Sequence, residues 1–304
     1  MSYFNCHSHT HYSNIRLLDC INRPKDLIKK AYELGLSGIA ITDHECVSAW
    51  MEVNKFAKEF REEHPEFTIA LGNEIYLTNT RDKGQKYYHF ILIAKDAIGA
   101  KAIRELSSTA WYNCYIDRNM ERVPTLKSEL ETIVNKYGKG HIIATTACIG
   151  GELGTSIQKL EEAELNNDIE QRKFWYQNIV NFIQFCIKVF GEDFYIECAP
   201  SAFSDQILVN KRALKIARYF NIKVVVGTDA HYLTKEDRYI HEAYLNSKGG
   251  EREVASFYSF ARLMDNEECY SLLTKSYSEE EVNEIFKNSL EVQNKITFFS
   301  LEKK

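Results

Sequence analysis

A chain of 304 residues can bury one barrel-sized α/β core or two smaller ones, and its composition (44% hydrophobic, 27% charged, 4 Pro, 14 Gly) excludes disordered and fibrous classes. The formal net charge of −5, from 38 basic and 43 acidic residues, argues against gripping nucleic acid with a broad basic surface. It does not exclude a nuclease, because bound divalent cations make a pocket positive whatever the net charge.

No apolar run is long enough to span a bilayer, so no membrane partner is expected. The segment Met1–Cys6 lacks a basic region followed by an apolar stretch, so we read no signal peptide and expect a cytoplasmic location. The eight cysteines (6, 20, 46, 114, 148, 186, 198, 269) form no CxxC pair, which excludes zinc-ribbon and thioredoxin readings. Most are expected as buried thiols.

In chain order, seven strands are predicted near 3–8, 37–42, 68–77, 87–94, 140–146, 193–198 and 222–228. The runs Ile39-Ala40-Ile41-Thr42, Ile142-Ile143-Ala144-Thr145 and Val224-Val225-Val226 are apolar or β-branched throughout, as in strands buried on both faces. Helical periodicity fills most gaps. Leu27, Ile28, Ala31 and Leu34 mark a first helix, with Pro24 in its first turn and Gly35 as its stop. Further helices are predicted over 50–62, 102–112, 127–137, one or two over 156–190, and one over 207–219. One connection differs. Residues 78–86 are polar and carry Gly84, so no helix fits there and the strands around Glu74 and His89 form a hairpin. That places His89 at the same end as Glu74. After His231 the strands stop. Helices are predicted over 233–243 and 279–296, the latter capped by Ser278. The whole reads as one α/β domain spanning 1–304, a barrel core over 1–232 and a helical wrap over 233–304. Repeated strand–helix alternation fits a barrel or a doubly wound sheet.

Four apolar runs end in chemistry: Cys6-His7-Ser8-His9, Thr42-Asp43-His44, Gly72-Asn73-Glu74 and Thr228-Asp229-Ala230-His231. His7 and His9, two apart on an extended segment, point to one side. Strand C-termini converge on one face of a parallel α/β fold. Imidazoles and carboxylates delivered there would meet, which is how multi-metal hydrolytic sites are built. Taken singly, each residue has a plainer reading. An isolated HxH is common, and Asp43 fits a helix N-cap. Glu74 fits a solvated strand tip, His89 a core histidine, Asp19 a loop acid, and Cys148, before the Gly150-Gly151 turn, a buried thiol. His11, His64, His141 and His241 read as structural or exposed. Arg118 and Arg122, in an aromatic-basic stretch, fit either a substrate-facing loop or a solvated one.

Together, His7–Ser13, Ala40–His44, Gly72–Glu74, His89–Lys95, Ala147–Glu152 and Gly227–Leu233 resemble the polymerase and histidinol phosphatase (PHP) superfamily of metal-dependent phosphoesterases. The likeness is greatest to the PHP domain at the N-terminus of bacterial DNA polymerase III alpha subunits. The resemblance implies a distorted (β/α)7 barrel with a helical C-terminal extension. It also implies nine ligands for two to three divalent ions: His7, His9, Asp19, His44, Glu74, His89, Cys148, Asp229 and His231. His7, His9, Glu74, Asp229 and His231 would form the catalytic core, with Zn²⁺, Mn²⁺ or Fe²⁺ as the metal. The implied activity is phosphoester hydrolysis, foremost 3′-to-5′ exonuclease action on single-stranded DNA ends. One alternative is a phosphatase or phosphodiesterase of nucleotides or other small phosphorylated compounds. Another is a non-catalytic module that recruits replication proteins, with the stretch around Phe257–Phe260 as part of its surface. Two departures stand out. His11 replaces a usual acidic residue, which bears on the first metal's outer shell, as does Asp43. Cys198-Ala199-Pro200 follows Glu197 where relatives carry a glutamine-containing motif. The chain stops where that family's polymerase palm would begin, so a free-standing domain is expected.

Overall fold

A computed structural model describes residues 1–15, 18–117, 120–247 and 256–302. In chain order come β1 (Phe4–Asn5), α1 (Pro24–Glu33), β2 (Gly38–Ile41), α2 (Trp50–Glu63), β3 (Thr68–Thr78), β4 (Tyr88–Ala94) and α3 (Ala97–Tyr112). Three short strands follow, β5 (Tyr115–Asp117), β6 (Met120–Arg122) and β7 (Pro124–Leu126), then α4 (Lys127–Tyr137), β8 (Ile142–Thr145), α5 (Glu152–Leu165) and α6 (Ile169–Phe190). The remainder is β9 (Phe194–Cys198), α7 (Ser204–Phe220), β10 (Val224–Val226), α8 (Asp237–Asn246), α9 (Asn266–Leu273) and α10 (Glu279–Asn294).

Seven strands run side by side in the order β1-β2-β3-β4-β8-β9-β10. The ring closes where the Cys6 amide donates to the Val226 carbonyl (3.0 Å) and Ser8 bridges Ala230. All pairs are parallel except those of β4, which runs antiparallel to both β3 and β8. This reversed strand is what distorts the barrel, and it brings the N-terminal end of β4 to the face where the other strands end. β7 adds in parallel to the far end of β3.

Apolar side chains fill the barrel: Phe4, Cys6, Ala40, Ala70, Ile91, Ile93, Ile143, Tyr195 and Val225 form one interior cluster that Val292 and Ile296 close. Those last two belong to α10 and the turn after it. Gln293 donates to the Ser37 carbonyl and Thr297 to the Lys95 carbonyl, so this segment caps the end opposite the converging strand tips. Lys95 and Lys295 both pair with the buried Asp193 (3.0 Å each), fastening the cap. A second, larger cluster lies between the strands and the outer helices.

The seven predicted strands lie where expected, because buried strands need unbroken apolar runs. The short β5–β7 were not foreseen; their polar sequence carries no strand period. The 156–190 stretch is two helices, broken where Asn167 takes a left-handed backbone (φ 54°) and Asp168 caps α6. The predicted helix over 233–243 begins only at Asp237, whose carboxylate accepts from the Thr234 amide and hydroxyl in the preceding turn. Helix α9, capped by Asp265, was also missed. Ser278 caps α10 as predicted, in a reciprocal pair with Glu281. No helix among the described residues is long and apolar enough to cross a membrane.

Candidate metal centre

Every barrel strand delivers a polar side chain to the same end. β1 leads into His7 and His9, β2 into His44, β8 into Cys148 and β10 into Asp229 and His231; Glu74 sits in β3, His89 in β4 and Glu197 in β9. Short bridges beyond the strands, His44 with Glu74 and His89 with Gly151, hold these tips in register. The hairpin register pairs Tyr76 with His89 and puts His89 Nδ1 2.6 Å from Glu74 Oε1. Glu45, Ala147 and Asp229 have left-handed backbones (φ 54°, 58° and 49°), strain that turns the chain sharply beside or at three of these side chains.

The nine residues named from sequence come together in three lobes. In the first, His7 Nε2 and His9 Nε2 lie 2.9 Å apart, and Asp229 Oδ1 sits 3.2 and 3.1 Å from them. In the second, Glu74 and His89 meet Cys148, whose Sγ is 3.6 Å from His89 Nδ1. In the third, Asp19 Oδ2 lies 2.7 Å from His44 Nε2 and 3.0 Å from His231 Nε2. Glu74 joins them, its Oε2 also standing 3.2 Å from His9 and 2.7 Å from His44 Nδ1.

Hydrogen bonds around the rim fix the tautomers. His7 Nδ1 donates to Glu197 Oε1 (2.7 Å), whose other oxygen accepts from the Thr145 hydroxyl (2.6 Å). Gly227 leaves room for that carboxylate; a Cβ there would stand 2.2 Å from Glu197 Oε1. The Ser13 hydroxyl gives its only proton to Asp43 Oδ1 (2.7 Å) and therefore accepts from His9 Nδ1 (3.1 Å). His231 Nδ1 donates to the Asp229 carbonyl (2.7 Å). In the neutral rings that ligation requires, all three Nε2 atoms present lone pairs aimed inward, at one another and at carboxylates.

Ring nitrogens this close need a proton or a metal ion between them. Glu74 Oε1 and Oε2 and Asp229 Oδ1 are buried and make no hydrogen bond of sound geometry, although imidazole nitrogens lie close. Ligands about 2.1 Å from a tetrahedral ion sit about 3.4 Å from each other. The 2.9–3.6 Å spacings among His7, His9, Asp229 and Glu74 bracket that requirement. With protons alone as counter-charge, burial would push His7 down, yet Asp229, Glu197 and Glu74 hold it well above its usual value. His9 goes the other way, lowered by burial and by the neighbouring His44. Burial, then Asp229 and Glu74, push the Cys148 thiol up, so binding an ion there would displace its proton. The donor set of imidazole, carboxylate and thiol suits Zn²⁺, Mn²⁺ or Fe²⁺.

A cavity of about 290 Å³ opens over the lobes, lined among others by Ile15, Tyr76, Ile149 and Tyr258. Among the described residues no Lys or Arg lines it.

Several expectations need correction. Asp43 is no helix N-cap, since α2 begins at Trp50; it accepts from the Thr10 amide (2.6 Å) and from Ser13, bracing the His7–His9 segment from behind. His11 is exposed, its ring against Tyr12 and its Nδ1 3.3 Å from the Asn22 carbonyl, away from the metal lobes. Arg122 lies with its guanidinium over Tyr87 and is absent from the cavity wall, because the β5–β6 hairpin turns it aside. Arg118 lies outside the described residues. Phe257's side chain is likewise not described, whereas Phe260 packs on the core. His141 pairs with Asp96 (2.6 Å), as a structural histidine should. His241 is structural as well; it is buried and its Nε2 donates to the Asp19 carbonyl (2.7 Å), with burial pushing its pKa down to about 4. Glu197 went unassigned, although a lone charge inside Tyr195-Ile196-Glu197-Cys198 was a usable signal.

The PHP domain family model matches residues 5–201. The chain is 40% identical over 310 residues to a DNA-directed DNA polymerase of Bacillus phage SPbeta, covering 98% of this chain and 24% of that protein. It is 32% identical over 238 residues to the DNA polymerase III subunit alpha of Borreliella burgdorferi, covering 76% of this chain and 18% of that one. It therefore spans about a fifth to a quarter of these relatives' length. A solved amidohydrolase structure from Chromobacterium violaceum aligns at 13% identity over 76% of this chain and 88% of its own, with a TM-score of 0.44.

Proposed function

Since the chain belongs to the PHP domain family, we propose that its three-lobed centre holds two to three divalent ions and hydrolyses phosphoesters, foremost at the 3′ ends of single-stranded DNA. The observation that carries this is the convergence of imidazole Nε2 atoms and buried carboxylate oxygens on one strand-tip face. Ions bound there supply Lewis-acid charge to the phosphoryl oxygens and acidify water. The chain does the rest. Glu197 and Ser13 hold His7 and His9 in the ligating tautomer. Glu74 ties the lobes together through His9, His44 and His89, and its carboxylate would offset the charge of ions held there. His44 and His231 present Asp19, and Cys148 draws its lobe toward softer metals. No protein nucleophile is required. The DNA polymerase relatives favour a DNA end as substrate.

A second reading has its own support. A cavity of about 290 Å³, with no Lys or Arg in its wall among the described residues, also suits a nucleotide or another small phosphorylated compound. Metal-loaded protein incubated with 3′- and 5′-labelled oligonucleotides and a nucleotide panel separates the two. A nuclease gripping several phosphates loses affinity steeply with salt, whereas a small-substrate phosphatase does not. Hydrolysis of neither class by metal-loaded protein would refute both readings and favour a non-catalytic replication module.

A further inference from the structure

Asp19 stands on a loop, not a strand, and what holds it comes from the other end of the chain. Its amide and that of Cys20 donate to Asn14 Oδ1 (2.8 and 2.9 Å), and Asn14 in turn donates to the Tyr244 hydroxyl on α8 (3.0 Å). His241, also on α8, donates to the Asp19 carbonyl (2.7 Å). The carboxylate itself receives the Tyr258 hydroxyl at Oδ1 (2.8 Å), 239 residues along the chain. Tyr258 is held in turn: its carbonyl accepts from Tyr232 Oη (2.6 Å), and its ring stands edge-on to His231 at 5.3 Å. All of α8 and Tyr258 lie beyond residues 5–201, the part matched by the family model.

A carboxylate facing a metal lobe can offer one oxygen or two. Here a phenol proton occupies Oδ1, leaving Oδ2 alone toward His44 and His231. We propose that Tyr258 is a positioning residue that fixes Asp19 as a one-oxygen ligand and thereby sets the metal affinity of the Asp19–His44–His231 lobe, leaving the other two lobes unchanged. The hydroxyl acts through Asp19, to whose Oδ1 it donates. This rests on the metal-centre reading above.

The test is metal binding, not turnover. Wild-type, Tyr258→Phe and Tyr244→Phe proteins are stripped with chelator and titrated with Mn²⁺ or Zn²⁺, with metal content measured after equilibration at fixed free ion. Tyr258→Phe keeps the ring and removes only the hydroxyl. It should weaken one class of site by about tenfold or more, the usual scale for an outer-shell partner. The remaining sites and the melting temperature of the metal-free protein should stay as in wild type. Tyr244→Phe removes a comparable hydroxyl from the same segment without touching the Asp19 carboxylate, and should bind metal normally. Unchanged stoichiometry and affinity in Tyr258→Phe overturns the proposal. So does an equal loss in Tyr244→Phe, which would mean that loop docking, not the Asp19 hydrogen bond, sets affinity. A wild-type protein that binds no metal would instead overturn the metal-centre reading itself.

Discussion

Glu197 offers a perturbation whose size follows from geometry. It accepts from His7 Nδ1 at 2.7 Å and is fully buried, so its charge strengthens a bond that keeps His7 Nε2 bare and basic. A hydrogen bond to a charged group contributes about 1.5–3 kcal/mol net, against about 1 kcal/mol for a neutral one. Glu197→Gln keeps an acceptor oxygen in place, and the amide can donate to the Thr145 hydroxyl that now donates to the carboxylate. Only the charge-assisted share is lost, about 0.5–2 kcal/mol, which weakens metal binding about 2- to 30-fold. Glu197→Ala removes the acceptor altogether and releases the His7 tautomer; the loss should reach about 10- to 100-fold. Calorimetric titration with Zn²⁺ or Mn²⁺ at pH 7, under chelator competition, reads both variants, with far-UV circular dichroism as the check on folding. Wild-type affinity in Glu197→Ala, or a larger loss in Gln than in Ala, would refute the reasoning.

Gly227→Ala attacks the same bond from the other side: its Cβ would meet Glu197 Oε1 at 2.2 Å and Cγ at 2.7 Å. We expect about 1–3 kcal/mol of destabilisation in urea melts together with weaker metal binding; a normal melt would show that the carboxylate can step aside freely. His9→Ala or Asp229→Ala should abolish turnover with the circular dichroism spectrum nearly unchanged, and retained activity in both would end the mechanism. The pH dependence of stability should differ between metal-free and metal-loaded protein. Although burial opposes it, Tyr76 and then Glu74 and Asp19 hold His44 well above its usual value, and carboxylate neighbours raise His231, as they do His7. That stabilisation is complete below the unfolded value of about 6.5 and is lost as pH rises through the folded values. Asp19, Glu74 and Asp229, which burial alone would raise, are instead lowered by flanking histidines. Their contribution is complete above about 4 and is lost as pH falls through the folded values. Metal-free protein should therefore weaken as pH rises above about 6.5, whereas metal, which needs the deprotonated ligands, should make stability rise over that range. Thermal melts from pH 5 to 8 with and without chelator check this; parallel curves in the two conditions would count against a metal centre.

The barrel was legible because its strands are buried on both faces and must be apolar throughout, as in Ile39–Thr42 and Val224–Val226. A polar segment carrying Gly84 excluded a helix from residues 78–86, and that single inference turned His89 toward Glu74. The residue types at the strand tips, with the family resemblance, named the nine side chains that the fold brings together. Period-based reading failed where the sequence is polar and irregular, at β5–β7 and at the start of α8. It also gave no basis for separating His11 and Arg122, which point elsewhere, from Asp43, which braces the centre.

What the chain's own order of residues determined was the set of strands, the reversal of one of them and the chemistry at their tips, since alternation, burial and turn signals act over a few neighbours. The tautomers and the supports were decided only on closure. Glu197 reaches His7 across 190 residues and Tyr258 reaches Asp19 across 239. A hydrogen bond depends on tenths of an ångström and on angle, and no short-range pattern carries that information until β10 has met β1 and the helices after it have docked.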